Sequence, residues 1–356
     1  MPRTHGTHTI QHKQRIFDYD FMRFVAICFV LAIHASCLTY IATTPVQWAY
    51  TYTMRNILFT CNGLFFLLAG KFALTRQADE HISTFYMKKV SGLLIPFAIL
   101  ALLRTLYNLF PNYETAAHVG KEFLLALLAE LNHSEYWFMF TLIPLIFAAP
   151  FLAPAFKQLS REKMNWLFAL TIIWLAIHFV SSNTTLPFEW TWIFPGKYVS
   201  FFFLFCIGPS VEQYFENKRA RWILYFCGLA ALIACVICNY TAHTEQLNDN
   251  SPMHIALVLC MFFLLKNISH FLVFMRKPIE FVAPYVIYIY LIHMPIEYEL
   301  LRAFPQLEQP NSFFIFIPFT LITLIGSFVL GLVVHTLLIK PSQKLFLFLC
   351  SRRKRT

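Results

Sequence analysis

Apolar residues in this chain come in runs of about twenty, separated by short polar stretches; Phe21–Tyr40 and Ser312–Ile339 are two of them. A helix rises about 1.5 Å per residue, so about 20 apolar residues cross a hydrocarbon core of about 30 Å. On that measure the pattern predicts ten spans, near 18–40, 53–74, 88–110, 136–156, 165–182, 197–215, 221–241, 253–274, 281–301 and 313–339. The segment Lys121–Leu131 (KEFLLALLAEL) is too short to cross and is expected to lie in the interface or re-enter. No polar stretch between spans reaches the roughly 50 residues of a small soluble domain.

The expected fold is therefore all-α, a polytopic integral membrane protein of about ten transmembrane helices. Residues 1–17 form an N-terminal tail, 18–340 the membrane domain and 341–356 a basic C-terminal tail. Composition agrees, with 58% hydrophobic and 13% charged residues, against about 25% charged in soluble domains.

Charge adds direction. Loops on the N-terminal side carry Lys88, Lys89, Lys157, Arg161, Lys218, Arg219 and Lys277, and the C-terminal tail is basic, whereas the opposite side holds Lys121, Lys197 and Arg302. That asymmetry predicts that both termini are cytoplasmic. The net charge of +10 then reports topology and contact with anionic membrane lipids, not nucleic acid. The first span is too long for a signal-peptide core and is expected to stay as an anchor. Cys235 and Cys238 match a redox spacing but sit in an apolar helix, where small packing residues are the simpler reading.

Against this apolar background the first span is unusual. It carries Asp18, Asp20, Arg23 and His34, and a charge at the bilayer centre costs about 2.5–3.5 kcal/mol on insertion scales. Arg23 and His34 are eleven positions apart, about 20° past three full turns, so they share a helix face at about 16 Å separation. Asp20 lies one turn before Arg23 and is placed to orient it. One face thus offers a permanent cation at the inner mouth and a titratable base deeper in. The same groups also fit an interfacial anchor and an interhelical hydrogen bond.

These residues also carry a resemblance. D-x-x-R followed by a histidine eleven residues after the arginine is similar to the first span of the membrane acyltransferase 3 family. NGLFFLLAGKFAL (Asn62–Leu74), FYMKKVSGLLIP (Phe85–Pro96), YWFMFTLIPLIFAAPFL (Tyr136–Leu152) and YVIYIYLIHMPI (Tyr285–Ile296) resemble further family motifs, in order along the chain. The chain departs in having Lys88-Lys89 for an arginine pair, Glu135 where a histidine is common, and Ala69 for a serine.

The resemblance implies transfer of an acyl group, most often acetyl, from cytoplasmic acyl-CoA to a hydroxyl of an extracytoplasmic or lipid-linked glycan. It makes acyl-CoA a co-substrate and calls for neither a metal nor a resident cofactor. His34 would be the general base, with Asp20 and Arg23 organising the donor end. Arg23, Arg76, Lys88 and Lys89 would hold the phosphates of CoA. Arg55, Arg104, Glu135 and His293 would serve the oxyanion or the acceptor. The implied location is a bacterial inner membrane. Direct transfer and an acyl-histidine intermediate both stay open, and an exporter of glycan or lipid-linked sugar with the same architecture is the competing function. Lys71 is expected to be interfacial, snorkelling at a span end, and Lys266 is either interfacial or a sign that the eighth span lies elsewhere. Trp190, Trp192 and Phe194 are expected in an interfacial aromatic belt.

Overall fold

A computed structural model describes residues 16–39, 42–76, 81–112, 115–130, 134–183, 198–242, 251–308 and 315–353. Every regular element among them is helical. In chain order these are α1 (Phe17–Thr39), α2 (Pro45–Leu58), α3 (Thr60–Arg76), α4 (Ile82–Lys89), α5 (Ile95–Leu109), α6 (Ala116–Leu125), α7 (Trp137–Phe156) and α8 (Arg161–Asn183). They continue with α9 (Val199–Ile207), α10 (Val211–Tyr214), α11 (Lys218–Ala242), α12 (Pro252–Ser269), α13 (Arg276–Val282), α14 (Val286–Ala303), α15 (Phe316–Val334) and α16 (Lys340–Arg353).

Nine helical stretches among the described residues are long and apolar enough to cross a membrane. The stretch expected at 197–215 is not among them. Its described part is broken at Gly208-Pro209, where proline cannot donate into a continuing helix, into α9 of nine residues and the short α10, and together they run from Tyr198 beside Trp137 to Glu212 beside Lys71. Another boundary moves outward. Helix α2 begins at Pro45, where Thr44 accepts from the Gln47 amide and the Gln47 side chain reciprocates, forming a capping box. A turn at Phe59 joins α2 to α3 in one 31-residue crossing, 45–75. The expected C-terminal tail begins as helix, with α16 continuing α15 through a π-helical stretch, His335–Ile339. Trp190, Trp192 and Phe194 lie outside the described residues.

Two helices sit at the centre. Helix α1 packs against α2, α3, α12, α13, α14 and α15, and α3 against α1, α7, α9 and α12. Polar groups on α1 thus face protein, which answers how an insertion cost is met. The periphery has the opposite character. Trp166, Leu170 and Ile173 on α8, and Trp222, Phe226, Leu229 and Ile233 on α11, are exposed at helical spacing, as lipid-facing stripes are.

Glycine sets the tightest crossing. A Cβ on Gly70 would lie 1.8 Å from the Phe205 carbonyl oxygen of α9, and one on Gly208 would lie 2.4 Å from the Lys71 amide nitrogen. Only hydrogen fits at both positions, so α3 and α9 touch backbone to backbone, as small residues allow in membrane bundles.

Candidate active site

Two polar clusters mark opposite ends of α1. At its N-terminal end, Arg23 Nη1 donates to Asp20 Oδ1 at 2.9 Å, and its guanidinium carbon rests 4.5 Å from the centroid of the Phe72 ring on α3. The pair expected from i,i+3 spacing is therefore made. Asp20 is buried and Arg23 half-buried.

Beside this pair lies a cluster the sequence did not reveal. Glu212 of α10 accepts from Tyr19 at 2.9 Å and from Lys71 at 2.6 Å through Oε2, while Lys266 of α12 bonds Oε1. Ser269 donates to Asp18 at 2.7 Å. Four helices are thus tied together by one carboxylate flanked by two ammonium groups. Lys71, expected to be interfacial, and Lys266 both turn inward to this carboxylate because each side chain is long enough to reach it.

At the C-terminal end of α1, His34 faces His293 of α14 with ring centroids 5.1 Å apart and planes tilted by 48°. His293 is fully buried, and its Nδ1 lies 2.6 Å from the Tyr290 carbonyl oxygen. A carbonyl only accepts, so Nδ1 carries the proton and Nε2 keeps a free lone pair. That Nε2 has no hydrogen-bond partner among the described residues. One turn on, Glu297 is fully buried with neither carboxylate oxygen hydrogen-bonded.

The short stretch before α7 clamps onto the same helix. Tyr136 donates to the Leu291 carbonyl at 2.5 Å and Tyr290 donates to the Glu135 carbonyl. Glu135 in turn lies 3.6 Å from Arg104 of α5, both side chains being nearly buried. Glu135 is also close enough to Glu297, and Arg104 to His293, to interact electrostatically. His34, His293, Glu135 and Arg104 therefore gather at one end of the bundle. Glu297 and Tyr136 join them, and only the i,i+4 spacing of His293 and Glu297 hinted at the former.

The other candidate residues are placed separately. Arg55 of α2 donates from Nη2 to the Ser36 carbonyl at 3.4 Å, against the last turns of α1. Lys88 and Lys89 stand on α4, with Lys89 over the Phe85 ring at 5.4 Å. The Arg76 side chain lies outside what is described. Cys235 is buried and Cys238 half-buried, both as free thiols.

The α1 face joining Arg23 to His34 continues through Ile27 and Val30, which are 0% and 4% exposed. Aliphatic packing fills it. A half-exposed stripe runs along α3 instead, through Asn62, Phe65, Ala69 and Phe72. Because α3 is flanked by other helices, that stripe faces the interior, and Phe72 is the ring on which Arg23 rests.

A model of the acyltransferase domain matches residues 16–332, nearly the whole chain and both polar clusters. The chain belongs to the acyltransferase 3 family. This makes it a membrane acyltransferase, in keeping with the apolar helices among the described residues that are long enough to cross a membrane. Within the acyltransferase, the matched region ends before the π-helical stretch and α16. No curated protein and no solved structure gives a significant match.

Proposed function

We propose that the protein is an O-acyltransferase of a bacterial inner membrane. It moves an acyl group, acetyl in the simplest case, from cytoplasmic acyl-CoA to a hydroxyl of an extracytoplasmic or lipid-linked glycan. The observation that carries this reading is the pair of facing imidazoles, His34 and His293, set 5.1 Å apart inside a family member.

A sugar hydroxyl is a weak acid, so its attack on a thioester needs a base positioned at the oxygen. His34, half-buried where His293 is fully buried, is the imidazole that an acceptor reaches. It takes the hydroxyl proton as the oxygen bonds to the acyl carbon. The carbon–sulfur bond then breaks, and the proton passes to the leaving thiolate of CoA. His293, its tautomer fixed by the Tyr290 carbonyl, holds the facing ring in register. Arg55 and Glu135 flank the acceptor side.

The donor enters from the end where Arg23 is oriented by Asp20, with Arg76, Lys88 and Lys89 offering further cations to the phosphates. Its pantetheine arm follows the half-exposed stripe of α3. With both termini cytoplasmic, this end faces the acyl-CoA pool.

Membranes carrying the protein should transfer label from radiolabelled acetyl-CoA to a glycan. His34→Ala, with equal protein in the membrane, should lower that rate by about 10²–10⁴, the usual contribution of a general base. Transfer at the normal rate by His34→Ala removes the mechanism. An exporter instead moves glycan and labels nothing.

A further inference from the structure

The bundle end that holds His34 and His293 also opens to a pocket of about 880 Å³, walled by Arg104, Tyr107, Asn108, Tyr298, Glu299 and Arg302. That is ample for small-molecule recognition, which typically uses about 300–1,000 Å³. Its charges are unevenly matched. Glu299 Oε1 is already taken, by Tyr107 at 2.6 Å and by Arg302 at 2.6 Å.

Arg104 is paired more loosely. Glu135 approaches it only to 3.6 Å, beyond hydrogen-bond range, and its Nη1 has no hydrogen-bond partner. Its side chain is 10% exposed, so the loose pairing with Glu135 leaves a shielded guanidinium with hydrogen-bonding capacity to spare, which an incoming oxyanion can take up. The guanidinium carbon lies 5.7 Å from the ring centroids of both Tyr107 and Tyr298, which fixes it at the pocket wall. Arg302, 70% exposed, adds a second cation at the rim. Tyr298 and Asn108 supply an aromatic face and an amide, groups suited to a sugar ring and its hydroxyls.

We infer that this pocket seats an anionic saccharide, with Arg104 anchoring a carboxylate or phosphate and Tyr298 covering a ring face. The inference rests on the acyl-transfer reading and narrows it, because Arg104 is shared between the pocket wall and the surroundings of His293. The acceptor glycan is then acidic, and its charged group is held beside the pocket while a nearby hydroxyl meets the base.

Binding to the full-length protein in detergent tests this directly. The probes are a glucuronic-acid oligosaccharide, its carboxyl-reduced neutral counterpart and a sugar phosphate. An acidic probe should bind about tenfold more tightly than the neutral one, and added salt should erode the difference. Arg104→Gln should remove most of that preference while Arg104→Lys keeps part of it. Arg302→Gln, at an exposed and already paired position, should lower it only slightly, and Tyr298→Ala should weaken all probes. Whichever acidic probe binds more tightly identifies the group that Arg104 holds. Equal binding of charged and neutral sugars, or an undiminished preference in folded Arg104→Gln, overturns the inference. Labelled acetyl-CoA transfer, run in parallel, separates the two claims. Charge-selective binding without transfer leaves the pocket and removes the enzymatic reading; charge-blind transfer does the reverse.

Discussion

Glu212 holds the N-terminal end of α1 to three other helices, through Tyr19, Lys71 and Lys266. Replacing it with glutamine leaves two ammonium groups close together with no counter-charge. Removing one partner of a well-buried pair costs about 3–5 kcal/mol; these side chains are 15–30% exposed, so about 2–3 kcal/mol is expected for Glu212→Gln. Thermal unfolding in detergent should show the loss, and adding Lys266→Met should restore part of it. The sequence could not have shown this carboxylate, because its lysines lie 141 and 54 positions away. The Asp20–Arg23 pair was legible because it is local, set by helix geometry alone. His34 was legible as a titratable side chain within an apolar run, but its facing partner needed the tertiary fold. His293 was visible only as a motif residue with packing and acceptor binding both open, and the Nδ1 contact to Tyr290 is what sets its tautomer.

At the level of elements, apolar run length located most of the helices, since hydrocarbon thickness leaves few alternatives. The differences at helix ends have local causes that were present in the residues. Gly208-Pro209 stops α9, and the Thr44–Gln47 capping box starts α2 upstream of the apolar run. The α3–α9 crossing yields a sharper expectation. Gly70→Ala should lower stability by about 1–3 kcal/mol or more, because the added carbon meets backbone that cannot rotate away. Gly120→Ala in α6, where an added Cβ meets nothing within 4 Å, should be neutral or stabilising by up to about 1 kcal/mol. Melting curves of the two variants, purified side by side, check both.

For the molecule as a whole, the charge asymmetry of the loops makes a topological forecast. Green fluorescent protein fused after Thr356 should fluoresce, and an alkaline phosphatase fusion at the same point should be inactive, if the C-terminus is cytoplasmic. An active phosphatase there would reverse the side assigned to the C-terminus and, with an even number of spans, put the Arg23 end on the wrong side for acyl-CoA. Which side each end faces stayed beyond the fold itself, because a helical bundle has the same internal contacts either way up.

The backbone contact between α3 and α9 has a bearing on motion as well. Helices that interlock through side chains can slip by rotamer changes, but two main chains pressed together at Gly70 and Gly208 have no such freedom. The α3–α9 pair is then expected to act as a fixed axle, with any opening of the bundle made by the helices around it. Tethering α8 or α11 to that axle should slow turnover, whereas cross-linking α3 to α9 should leave it untouched.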